Sequence, residues 1–299
     1  MQDVESSSIW SPCLTQDGSF TFFSKEFEES FHSHGGAIQE AFQKFVRATN
    51  LEQKADGDRL CLLDVCYGLG YNTAAALETI WSIHPDCHVT VYALELDVSV
   101  ARAAIAAPLL ETWAPPVQQV LRAIAQDHQC LTSRLTAFLL LGDARQTIQT
   151  LVTQSFQADA VFLDPFSPRR CPQLWTVEFL QQVTQCLAPR GRLATYSRSA
   201  CVRSALQQAG LQIGTIPLGA DHPQHSHQWA QGTVAAFDSQ ELTPLTLMEQ
   251  EHLQTRAAIP YRDPTLQDSA DQILARHQAE QNVCDRTSTS SWRRRWGIR

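Results

Sequence analysis

Lysine is scarce: 20 of the 23 basic residues are arginine, and only Lys25, Lys44 and Lys54 are lysine. Acids outnumber bases 31 to 23, giving a formal charge of −8. That balance argues against a uniformly basic nucleic-acid binder, because phosphate contacts need clustered cations. Charged residues are few, 18% against 43% hydrophobic, which excludes a disorder-type composition over the 299 residues. One large α/β domain, or a domain of roughly 200 residues with extensions, is expected. No uninterrupted apolar stretch approaches the roughly 18 residues that span a bilayer. The opening MQDVESSSIW lacks the basic region and apolar run of a signal peptide. The nine cysteines are odd in number and form no C-x-x-C pair, which disfavours a disulfide framework or a structural zinc site. A soluble cytoplasmic protein is the expectation. No internal repeat is apparent.

What is present is alternation. Seven short apolar, β-branched runs read as strands, at 60–66, 88–94, 136–140, 159–163, 191–197, 211–217 and 230–237. Helical spacing fills most of the gaps, as in TAAALETIWSI, in Leu174 to Leu187 closed by Pro189 and Gly191, and in SACVRSALQQAG ended by Gly210. Strand and helix in turn imply a parallel sheet covered on both faces. The last two runs are joined by Leu218 to Trp229 without an amphipathic run, so they are expected to form an antiparallel hairpin. The fold class is therefore α/β and Rossmann-like, with a seven-stranded, mostly parallel sheet and an antiparallel last strand. Residues 1–58 read as an N-terminal extension packing on the core and 59–238 as the Rossmann-like core, with a helical insertion at 98–135. Residues 239–299 read as a C-terminal extension with a basic, flexible tail at 286–299.

Four constellations carry chemistry. In LLDVCYGLGYNT a strand ends in Asp64, the turn holds Gly68 and Gly70, and a helix starts near Asn72. Glycines admit a ligand close to the backbone, and the helix start offers free N–H groups; a tight strand-to-helix turn is the plainer reading. Glu95 ends the next strand, where an acid is placed to hold the hydroxyls of an adenosine ribose. Asp143, followed by Ala144, stands just past the third strand, where it faces an adenine edge or caps a helix. Asp164 follows the fourth strand in FLDPFSPRRCPQLWT, where Pro165 and Pro168 stiffen the chain and Phe166 and Trp175 shape a pocket around one carboxylate. A turn-forming Asp-Pro pair is the alternative.

On DVCYGLGYN, GDA, FLDPFSPRRCPQLWT and LAPRGRLATYSRSACVRSALQQAGL the chain resembles the MnmC-like methyltransferase family, including its free-standing, methyltransferase-only members. The resemblance covers about residues 15–265 and extends to the opening segment FSKEFEESFHSHGGAIQEAFQKF and to IPYRDP at 259–264. It implies a class I fold that uses S-adenosylmethionine to methylate the aminomethyl group on C5 of a tRNA wobble uridine in the anticodon loop. Bifunctional members also carry a flavin-dependent oxidase domain; this chain is expected to perform the methyl transfer alone, with another enzyme supplying the amine. Asp164 matches the family's catalytic acid. Asp64, Tyr67, Gly68, Gly70, Asn72, Glu95, Asp143 and Ala144 are expected at the cofactor, with Tyr71 beside the turn. Phe166, Trp175 and Tyr196 are candidates to stack on the uracil, with packing as the plainer role for Trp175. Arg169, Arg170, Arg198 and Arg203 are candidates for tRNA phosphates, with solvated surface as the bland alternative.

Other readings share parts of this pattern. A nicotinamide oxidoreductase has the glycine turn and Glu95, but position 73 is Thr where its third glycine belongs. An aminopropyltransferase also places an acid after the fourth strand, and a catalytically silent nucleoside- or RNA-binding module stays open. His222, His225 and His227 are close enough to bind zinc but lack a Cys or acidic partner at ligand spacing, so a solvated loop and no metal are expected. The tail RTSTSSWRRRWGIR offers arginines for phosphates and tryptophans for bases.

Overall fold

A computed structural model describes residues 10–106, 108–218 and 230–298. Two small hairpins come first: β1 (Cys13–Leu14) pairs with β2 (Phe20–Thr21), and β3 (Phe23–Ser24) with β4 (Glu29–Ser30). Helix α1 (Ala37–Glu40) runs into a π-helical turn at Ala41–Val46 and is followed by α2 (Leu51–Lys54). The core then alternates through β5 (Arg59–Val65), α3 (Tyr71–Ile83), β6 (His88–Glu95), α4 (Val98–Ala106), α5 (Pro115–Asp127), β7 (Gln129–Thr132), β8 (Leu135–Leu141) and α6 (Ala144–Thr153). It continues with β9 (Ala158–Leu163), α7 (Val177–Gln185), β10 (Leu187–Thr195), α8 (Ala200–Gln208), β11 (Gln212–Ile216) and β12 (Gly232–Ala236). Three helices close the described chain: α9 (Leu247–His252), α10 (Ala270–Val283) and α11 (Thr289–Trp296).

The large sheet has the order β11-β12-β10-β9-β5-β6-β8-β7. Strands β10, β9, β5, β6 and β8 are parallel, and β12 lies antiparallel between β10 and β11. The period of two in each strand divides the core. Leu62, Val91 and Phe162 face α3 and α5, while Leu63, Leu94 and Val161 face α6, α7 and α8. Because both faces are covered, β5 reads as a nearly continuous buried run rather than an alternating one. The chain crosses to opposite sides of β5 on leaving for β6 and for β9, which opens a crevice at the carboxyl ends of the central strands.

Two expectations change. The segment 98–135 is helical but ends in a strand, β7, which pairs antiparallel with β8 and makes the sheet eight-stranded. Its four residues QCLT carry no alternation, and Leu131 is exposed, so sequence periodicity gives no signal. The expected flexible tail is instead helix α11, capped by Ser288, which accepts from Ser291 N, and held by Trp292. That indole is 4% exposed, stacks on His252 at 4.1 Å and 14°, and donates from Nε1 to the Met248 carbonyl at 3.1 Å. Composition marked the segment as a flexible tail with tryptophans free for bases, and gave no sign that Trp292 is an anchor.

Candidate active site

A cavity of about 730 Å³ opens at the carboxyl edge of the sheet. Its size is within the range of small-molecule sites. One end is made by Gly68, Glu95, Leu96, Asp97, Val100 and the Gly142–Arg145 turn. The other holds Asp164, Phe166 and Tyr196 under the N-terminal segment, which contributes Phe27, Phe31, His32, Glu40 and Lys44.

Glu95 ends β6 and accepts from Gly68 N at 2.7 Å, Leu96 N at 2.8 Å and Asp97 N at 3.0 Å. Burial raises its carboxyl above the ordinary range, opposed by those three N–H groups. Gly68 sits at φ +55 in this turn, and Cys66 before it takes the left-handed conformation at φ 72, uncommon for a side-chain-bearing residue. Asp143 caps α6, and its carboxylate is also bound by Arg145, with Nη2 to Oδ2 at 2.7 Å. Both the capping and the cavity-lining positions foreseen for it are therefore occupied by one residue. Ala144 lines the cavity beside it.

Asp164 extends the line of β9 and donates from its own N–H to the Val65 carbonyl at 3.1 Å. Its Oδ2 accepts from Asn72 Nδ2 at 2.8 Å. Burial holds the carboxyl well above the usual range, reinforced by the charge of Glu40 and opposed by Asn72. Phe166 stacks on Phe27 with ring centroids 4.5 Å apart at 17° and meets Phe31 edge-on at 4.9 Å. Tyr196 donates to the Pro165 carbonyl at 2.9 Å, fixing the Asp-Pro turn. Glu29 accepts from Ser167 N at 2.9 Å, so the N-terminal segment is tied to the same loop.

Several expected residues are not cavity walls. Asp64 is fully buried, accepts from Thr73 Oγ1 at 2.6 Å, and leaves Oδ1 without a partner. Tyr67 is buried under the turn, and a Cβ at Gly70 (φ +82) would meet its hydroxyl at 2.6 Å, so that glycine serves packing and helix entry rather than a ligand. Asn72 is buried and spends its amide on Asp164. Tyr71 donates no contact to the cavity; its hydroxyl accepts from Phe20 N at 3.2 Å. Trp175 is 0% exposed and donates from Nε1 to the Phe166 carbonyl at 2.8 Å, the packing role. Arg203 is a core residue: 1% exposed, it pairs with Glu249 at 2.8 Å and donates to Thr233 Oγ1 at 2.9 Å, which removes it from any phosphate. Arg169 and Arg198 are exposed, and exposed Arg170 pairs with Glu28 at 2.7 Å.

None of Phe27, Phe31, His32, Glu40 and Lys44 was expected as a site residue, although all five lie in FSKEFEESFHSHGGAIQEAFQKF, the opening segment that carries the family resemblance. His32 is half-buried beside Tyr71, and its desolvation pushes the imidazole down to about 4. Among the described residues no group of three or more His, Cys, Asp or Glu side chains is placed to hold a metal. His222, His225 and His227 lie outside the described residues. No described helix is long and apolar enough to cross a membrane.

A parallel sheet flanked by an antiparallel β12, with an acid at the tip of β6 and a second acid after β9, defines a class I S-adenosyl-L-methionine-dependent methyltransferase. A family model described in those words, S-adenosyl-L-methionine-dependent methyltransferase, matches residues 107–221. The crystal structure of MnmC2 from Aquifex aeolicus superposes with a TM-score of 0.78 at 30% identity, over 94% of this chain and 87% of that one. The chain belongs to the MnmC-like methyltransferase family. A bifunctional MnmC of Ralstonia nicotianae, named for tRNA 5-methylaminomethyl-2-thiouridine biosynthesis, is 31% identical over 222 residues, 69% of this chain and 32% of that protein. An uncharacterised protein of Methanocaldococcus jannaschii is 28% identical over 87% of this chain and 69% of its own length. The chain thus spans about a third of the bifunctional relatives it matches. The cofactor is S-adenosylmethionine, and the oxidoreductase, aminopropyltransferase and silent-module readings fall.

Proposed function

We propose that this chain transfers a methyl group from S-adenosylmethionine to the amine of a 5-aminomethyluridine at the tRNA wobble position. The product is the 5-methylaminomethyl group in the name of the bifunctional relatives. The observation that carries the reading is Asp164, a half-buried carboxylate that lines the same cavity as Glu95, Phe166 and Tyr196.

The residues at the Glu95 end suit an adenosine. Beyond its three backbone donors, two on Oε1 and one on Oε2, the Glu95 carboxylate keeps one acceptor site at Oε2 for a ribose hydroxyl. Leu96 and Val100 offer an apolar wall to the base, and Asp143 and Ala144 bring the first turn of α6 to its edge. The cofactor, when bound, supplies a methyl group on a cationic sulfur that leaves as a neutral thioether.

An alkyl amine with a pKa near that of lysine, about 10.4, is mostly an ammonium at neutral pH and has no lone pair. Asp164 attracts and orients that cation, with Asn72 fixing Oδ2 and the other oxygen accepting from the amine. Burial makes Asp164 a stronger base than an ordinary carboxylate, so it can take the proton that the nitrogen must shed. The neutral nitrogen could then accept the methyl group that a bound cofactor would supply. In this reading Phe166 and Tyr196 hold the uracil face, and the contacts of Phe27 and Phe31 with Phe166 support it. In this reading the exposed Arg169, Arg170 and Arg198 meet anticodon-loop phosphates.

The test is incubation with methyl-labelled S-adenosylmethionine and tRNA bearing 5-aminomethyluridine, followed by nucleoside analysis. Label in the wobble nucleoside is expected; none there, with a cofactor-binding protein, overturns the substrate.

A further inference from the structure

We propose that α11 and the turn beside it form a docking surface for the phosphate backbone of RNA, with Arg256, Arg286, Arg293 and Arg294 as its contacts. The proposal deepens the tRNA reading and rests on it. Residues 286–299 hold five arginines and no acid, a charge of +5, so the rest of a chain of net −8 carries −13. Five of the 23 basic residues thus fall in one short segment that has no acid to offset them.

The structure shows how that segment is held and which arginines are spent in holding it. Trp292 is buried on His252, and Trp296 Nε1 donates to Glu251 Oε2 at 2.8 Å. Arg295 pairs with the other oxygen of Glu251 at 2.9 Å. These three side chains fasten α11 to α9, leaving neither indole as a free stacking platform. Arg293 and Arg294 are exposed and have no carboxylate partner among the described residues, and Arg294 reaches only Ser291 Oγ, at 3.3 Å. Arg256 is drawn to the same segment: its N–H donates to the Thr287 carbonyl at 3.0 Å and its Nε to the Arg286 carbonyl at 3.3 Å. Arg256 and Arg286 are likewise exposed and without a carboxylate partner among the described residues.

Arginines in a last helical turn complement the helix dipole. That accounts for their tolerance on α11 but uses neither the guanidinium fork nor the paired Arg256 and Arg286 outside the helix. A forked, always-charged group suits phosphate oxygens. A membrane surface is disfavoured because the helix has turned its tryptophans inward and offers no apolar face to insert.

The test is binding of bulk tRNA to the full chain across a salt series, for the parent and for Arg293→Gln/Arg294→Gln. Both side chains face solvent, so the variant should keep the parental thermal transition and S-adenosylmethionine affinity. Each phosphate contact contributes about 0.7 to 0.9 to the slope of log affinity against log salt. Loss of both should weaken binding about tenfold and lower the slope by about 1.5. Parental affinity and slope in the variant would overturn the docking surface while leaving tRNA methylation standing. A parent that methylates a small aminomethyl nucleoside yet fails to bind tRNA would overturn both readings. Binding of acidic-lipid vesicles or an acidic protein, with no salt-sensitive tRNA binding, would overturn the assignment to RNA.

Discussion

Asn72 Nδ2 donates to Asp164 Oδ2 across 2.8 Å, joining the first turn of α3 to the loop that follows β9. The donor stabilises the ionised carboxylate and opposes the effect of burial. Replacing Asn72 with Ala should therefore raise the proton affinity of Asp164 further. Activity that needs an ionised Asp164 then falls at low pH, and its acid limb should move to higher pH in Asn72→Ala, with donor Kd nearly unchanged. A parental pH profile would show that the contact is only structural.

Asp64 has one carboxylate oxygen on Thr73 and the other buried without a partner. Burial pushes its carboxyl up to about 7, against the Thr73 hydrogen bond. The folded state thus favours the neutral acid. Its contribution is fully present below the usual carboxylate range and is lost as pH rises through about 7. The thermal midpoint of Asp64→Asn should decline less between pH 4 and 8 than that of the parent, and parallel declines would contradict this.

Arg203 and Glu249 form an ion pair with both side chains 1% exposed. Removing one partner of a buried pair costs about 3–5 kcal/mol, because the other charge is stranded. Arg203→Ala should lower stability by that order, and the double variant Arg203→Met/Glu249→Leu should recover most of it. Denaturant unfolding of the three chains decides, with an unaffected Arg203→Ala as the contrary result.

Phe27 stacks on Phe166 from a segment outside the sheet. Such pairs contribute about 0.5–1.5 kcal/mol beyond burial. Phe27→Ala should lower kcat/KM for tRNA by up to about tenfold while changing donor Kd little. Equal losses in both would place Phe27 at the cofactor end instead.

The alternating core was legible because parallel strands are long buried runs and their helices end at Gly and Pro, as at Gly210 after α8. Glu95 and Asp164 were legible for the same reason: each follows an apolar run directly, so chain position alone puts it at the sheet edge. Asp64, Tyr67 and Asn72 share that neighbourhood, but whether a side chain faces the crevice or the layer beneath depends on backbone angles such as the φ of 72 at Cys66. Arg203 looked like surface because no local pattern reveals that Glu249, 46 positions away, is buried against it. The aromatic cover of the cavity depends on a long-range packing of residues 20–33 that periodicity does not encode.

Whether Asp164 accepts the proton of an amine undergoing methyl transfer is decided by single-turnover methylation of tRNA bearing 5-aminomethyluridine by the parent and by Asp164→Asn. General-base catalysis contributes about 10²–10⁴-fold. Asp164→Asn should lose rate by that order, with donor Kd within about threefold of the parent. Equal rates, or a loss of donor binding as large as the loss of rate, would contradict it.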